Sequence, residues 1–83
     1  MKIIVGDKFG SELKKCRVKL LLTQDGFAKE VGTSVANVKS WETGRQMPNF
    51  ENWEKIYTYL KTKYIHRDLE QAYIMQKGQK THG

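Results

Sequence analysis

The chain has 83 residues, 39% of them hydrophobic, and its fifteen Lys and Arg against nine Asp and Glu give a formal charge of +6. That length suits one domain near the lower limit for folding without staples, and no stretch approaches the ~20 apolar residues of a membrane span. A single cysteine excludes an internal disulfide, and Cys16, His66 and His82 have no zinc-ligand spacing, so neither a metal nor a cofactor is expected.

The β-branched run Lys2-Ile3-Ile4-Val5 predicts a short strand or an arm. It is too short for a signal-peptide core, which makes a cytoplasmic location the expectation. Gly10-Ser11-Glu12 opens a first helix, with Ser11 as its cap. Leu13, Cys16, Arg17 and Leu20 keep the helical spacing, while Lys14, Lys15 and Lys19 take the outer face, as solvated charges or as phosphate contacts. Leu20-Leu21-Leu22 ends that helix.

The next stretch organises the rest. Thr23 caps a helix with Gln24 and Asp25 in its first turn and Phe27, Ala28 and Val31 on one face. Gly32 ends it where a left-handed residue is needed. Ser34 caps another helix, whose Val38 and Trp41 share a face, and Gly44 stops it. A small residue at Ala28 lets the two helices cross closely. Ala28, Gly32, Val38 and Trp41 therefore form the sequence pattern of a helix-turn-helix rather than of a generic helical hairpin.

After the loop Arg45-Gln46-Met47-Pro48, Asn49 caps a fourth helix whose Phe50, Trp53, Ile56, Tyr57 and Leu60 form a bulky core face. Residues 61–64 are a basic connector. Ile65, Leu69, Ala72, Tyr73 and Gln76 define a fifth helix over about 65–77, with Gly78 past its end and a polar tail over 78–83. The expected fold is all-α, a compact bundle of four to five helices in a single domain over 1–83 with its core at about 10–60. Charge is uneven: residues 1–22 carry six basic and two acidic side chains, whereas residues 23–50 carry three of each. The helix-turn-helix is thus neutral, and any electrostatic grip on phosphates comes largely from its flanks.

With Arg17, Thr23-Gln24, Phe27-Ala28, Val31-Gly32, Ser34, Val38, Trp41-Glu42, Gly44 and Pro48 in view, the chain resembles the phage lambda and 434 repressor and Cro-like (XRE-type) helix-turn-helix family. The resemblance covers residues 10–60. It implies a bundle that binds double-stranded operator DNA, as a homodimer, with the helix at 35–42 in the major groove. By position, Ser34, Val35, Ala36, Lys39 and Ser40 would face base edges or nearby phosphates, and Gln24, Thr43 and Arg45 would touch the backbone. Arg17 and Glu42 match a structural ion pair between the first and third helices. Two departures stand out: Gly26 replaces a helix-favouring residue, and apolar Val35-Ala36 stand where relatives carry polar readers, which suits thymine methyls better than bidentate base contacts.

The leading functional reading is a small repressor or Cro-like transcriptional regulator binding a palindromic operator. The segment from Ser34 to Pro48 is also similar to HigA-type antitoxins, which implies a toxin protein as an alternative partner. A protein-only interaction module on the same scaffold is a third reading. An enzyme is not expected, because no nucleophile sits beside a base and no glycine-rich phosphate loop is present.

Overall fold

Five helices follow one another in the computed structural model, which describes the backbone of residues 5–80 and the side chains of residues 8–76. They are α1 (Val5–Lys19), α2 (Gln24–Val31), α3 (Val35–Glu42), α4 (Phe50–Thr62) and α5 (Arg67–Lys80). The expected strand or arm at Lys2-Ile3-Ile4 lies outside the described residues, and Val5 already belongs to α1.

α1 begins earlier than its sequence suggests, and Ser11 is not its cap. The helical spacing of Leu13 and Cys16 continues back to Phe9, which is fully buried and meets the rings of Trp53 and Tyr73 edge-on at 6.1 and 5.9 Å. Gly10 is therefore inside the helix, where glycine costs about 1 kcal/mol. Packing explains it: a Cβ at Gly10 would lie 2.5 Å from the Glu42 carbonyl oxygen and 2.7 Å from that of Trp41. The glycine lets the C-terminal end of α3 rest directly on α1.

The ends of α1 to α4 share one device. The amide of Leu22 donates to the Arg17 carbonyl, Thr33 to Ala28, Arg45 to Ser40 and Ile65 to Leu60. Each bond closes a six-residue turn around a left-handed residue. Those residues are Gly32 (φ 92°) and Gly44 (φ 79°) on either side of α3, but Leu21 (φ 59°) and Tyr64 (φ 61°) after α1 and α4. A Cβ at Gly32 would meet nothing within 4 Å, so the backbone conformation alone calls for glycine there.

The buried cluster joins Phe9, Leu13 and Cys16 of α1 to Phe27, Ala28 and Val31 of α2, Val38 and Trp41 of α3, and Trp53, Ile56 and Leu60 of α4. α5 adds Leu69, Ala72 and Tyr73. Tyr73 stacks on Trp53 at 4.2 Å and 7°, an arrangement worth about 0.5–1.5 kcal/mol beyond burial. α5 runs antiparallel to α1, since the Phe9 amide donates to Gln76 Oε1 at 2.6 Å and the Cys16 thiol to the Ile65 carbonyl at 3.7 Å. Gln76 Nε2 also reaches Met47 Sδ at 3.4 Å, tying α5 to the loop after α3.

Two further expectations need correction. Phe50 does not join the core face: it is 67% exposed, because that face centres on Trp53, Ile56 and Leu60 and Phe50 sits at the helix's first residue, at its margin. The last helix starts at Arg67 and runs through Gly78, so Gly78 does not end it. Ile65 instead closes the turn after α4 and is half-buried against the core. Among the described residues no helix is long and apolar enough to cross a membrane.

Candidate nucleic-acid interface

Two capped short helices set the corner. Thr23 Oγ1 accepts from the Gly26 amide at 3.0 Å at the start of α2, and Ser34 Oγ accepts from the Asn37 amide at 3.1 Å at the start of α3. Gly26 gains a reason here, since a Cβ on it would stand only 3.2 Å from that capping hydroxyl. Ala28 is buried in the corner, small enough for α3 to cross close by.

The back of α3 is held rigidly. Val38 and Trp41 sink into the core, and Glu42, with a side chain only 4% exposed, anchors the helix end. Arg17 grips it with both prongs, Nε to Oε2 at 2.7 Å and Nη2 to Oε1 at 3.1 Å, while Arg17 Nη1 donates to the Leu22 carbonyl at 3.0 Å. The hydrogen bond to Glu42 raises the Arg17 pKa above its ordinary value. Gln24 Nε2 donates to Glu42 Oε1 as well, at 3.1 Å. One carboxylate thus ties together α1, the start of α2 and the end of α3.

With that side fixed, the other faces water. At about 100° per residue, Ala36, Lys39, Ser40 and Thr43 project within about 50° of the direction opposite Val38 and Trp41. They line one shallow trough together with Gly44 and Arg45. Ser34 is exposed but does not line it. Val35 does not point away from the core as its sequence position suggested: it sits about 90° from that direction and is half-buried against the core. Asn37, which the sequence left unassigned, turns its amide back to Thr33 Oγ1 at 2.9 Å.

The groups proposed for phosphates are dispersed. Gln24 stands at the start of α2, where first-turn amides have no partner within the helix and the dipole favours anions. Thr43 is a poorer donor than its position implies, because its hydroxyl bonds back to the Lys39 and Ser40 carbonyls at 2.9 and 3.2 Å. The Thr43, Gly44 and Arg45 amides are likewise taken, by the Lys39, Trp41 and Ser40 carbonyls. The exposed Arg45 side chain remains as a cationic donor in this loop. Lys14, Lys15 and Lys19 line a different depression, on the outside of α1 with Ser11 and Val18. Of the three, Lys14 lies nearest the line of Gly10 and Arg17 that meets α3, about 40° from Gly10 against about 140° for Lys15 and 180° for Lys19.

A rigid corner of two capped helices, with the second presenting a free outer face, defines a helix-turn-helix. The chain belongs to the HTH_3 helix-turn-helix family, of the XRE/Cro type, whose model matches residues 13–64. It is accordingly a DNA-binding helix-turn-helix regulator. The match leaves out Phe9 and Gly10 and stops before α5. No curated protein and no solved structure matches the chain.

Proposed function

We propose that this protein is a cytoplasmic, sequence-specific repressor that lays α3 in the major groove of an operator overlapping a promoter and blocks transcription sterically. The observation that carries this reading is the two-sided character of α3, locked behind by Val38, Trp41 and Glu42 and open in front at Ala36, Lys39 and Ser40. Lys39 supplies a donor for purine N7 or guanine O6, and Ser40 pairs with either donor or acceptor. Gln24 and Arg45 fix the register on phosphates, with Lys14 beside them. Lys15 and Lys19, further round α1, add to the positive field rather than to the contact.

A homodimer on a palindromic site accounts best for so small a reading surface, and exposed Ile74 and Met75 on α5 offer apolar area for its interface. The same apolar area suits a toxin protein in the antitoxin reading, and co-purification of a second polypeptide with the tagged chain favours that reading. The direct test of DNA binding is Ala36→Asp. A carboxylate in the first turn of α3 suits the helix dipole, so folding is retained, but it places a negative charge against the duplex. Loss of affinity for duplex DNA at low salt, with an unchanged melt, supports the proposal. Unchanged affinity shows that another surface binds the DNA.

A further inference from the structure

We infer that the reading face responds to the C5 methyl group of pyrimidines and therefore accepts 5-methylcytosine where it accepts thymine, while discriminating against unmodified cytosine. This rests on the reading of α3 as the DNA-contacting helix. The argument begins with what the start of α3 lacks. Thymine differs from cytosine in the major groove by its methyl group and by an O4 acceptor in place of the N4 amino donor. To tell thymine from 5-methylcytosine, a protein must read that acceptor or donor, because the methyl group is common to both.

On the outer face of the first turn of α3, Ala36 carries no group that can do so. Ala36 presents only a methyl group, and Val35 only the part of its isopropyl group that is not packed on the core. The amide of Asn37 is turned to Thr33, and Ser34, whose oxygen caps the helix, lies outside the trough that Ala36 lines. The polar readers Lys39 and Ser40 come one turn later. Lys39 follows Ala36 by three residues, so their side chains are neighbours on the surface. Adenine and guanine both show N7 in the major groove, so Lys39 is served by the partner purine of a thymine or of a methylated cytosine. A base met by Ala36 is then recognised by its methyl group alone. Cytosine methylation at that step strengthens binding without any change of sequence.

The size of the effect follows from one buried methyl-sized group, about 0.8 kcal/mol or about fourfold in affinity for each half-site. The test takes the site enriched from a random duplex pool and varies each pyrimidine in it as thymine, uracil, cytosine and 5-methylcytosine. Equilibrium binding is measured by fluorescence anisotropy at one salt concentration. At one step in each half-site, 5-methylcytosine is expected within about twofold of thymine, with cytosine and uracil each about fourfold weaker than their methylated forms. The preference is expected to shrink in Ala36→Ser, which replaces the bare methyl group by a hydroxymethyl. Equal binding of cytosine and 5-methylcytosine at every step, by protein that does select a DNA site, overturns this inference and leaves the DNA-binding proposal standing. A methyl preference undiminished in Ala36→Ser overturns the assignment to this face. A pool with no enrichment defeats the DNA-binding proposal itself.

Discussion

Glu42→Ala removes the carboxylate on which three helices converge. It leaves Arg17 with its charge against a largely buried site and Gln24 Nε2 without its acceptor. Removing one partner of a buried pair costs about 3–5 kcal/mol. Arg17 keeps its bond to the Leu22 carbonyl and some access to water, its side chain being 13% exposed, which places the loss near the lower end, about 3 kcal/mol. At about 0.05–0.15 kcal/mol per residue the whole chain commands about 4–12 kcal/mol, so this one change removes a quarter or more of it. Urea unfolding followed by the fluorescence of Trp41 and Trp53 reads the effect, as a fall of about 1–3 M in midpoint. The paired replacement Arg17→Met with Glu42→Leu strands no charge and is expected to be more stable than Glu42→Ala alone. A midpoint for Glu42→Ala equal to wild type, or a double variant that loses the sum of both single changes, refutes the idea of a buried pair holding α3.

Gly10→Ala drives a methyl group into the Trp41 and Glu42 carbonyls; it is expected to cost about 1–3 kcal/mol and, by displacing α3, to weaken DNA binding, measured by melting and by anisotropy. Leu21→Gly relieves a left-handed residue that is 92% exposed, and a gain of about 1 kcal/mol in a denaturant titration is expected. Burial raises the Cys16 thiol to about 11, so alkylation at neutral pH should be slow in the folded protein and fast in urea. Because that pKa lies above its unfolded value, the related stability is complete below about 9 and lost as pH climbs toward about 11. Arg45→Ala should lower the slope of log affinity against log salt by about one unit, whereas Lys15→Ala and Lys19→Ala leave it nearly unchanged.

The helix-turn-helix was legible because its signals are local. Thr23, Ser34 and Asn49 cap the helices that follow them, and Gly32 and Gly44 bracket α3 in the left-handed conformation that makes glycine necessary. The cap assigned to Ser11 failed where a non-local contact decides. Gly10 reads as a helix opener until the carbonyls of α3, thirty residues away, are seen against it. Phe9 carried a usable signal, since it extends the spacing of Leu13 and Cys16 by one turn. The left-handed Leu21 and Tyr64 carried none, because neither is a residue type that favours the conformation their closing turns require. Along α3 the outward placing of Ala36, Lys39 and Ser40 was legible, and two other orientations were not. Val35 leans on the core and the Thr43 hydroxyl folds back on its own helix, and both depend on contacts that spacing alone does not encode.

Selection of bound duplexes from a random pool by the wild-type protein tests the central claim most directly. If the outer face of α3 reads DNA as one half of a dimer, the enriched sequences carry a two-fold-symmetric site whose half-sites lie about one helical turn, 10–10.5 base pairs, apart. A pool that stays unenriched at low salt, with the protein folded, contradicts the account.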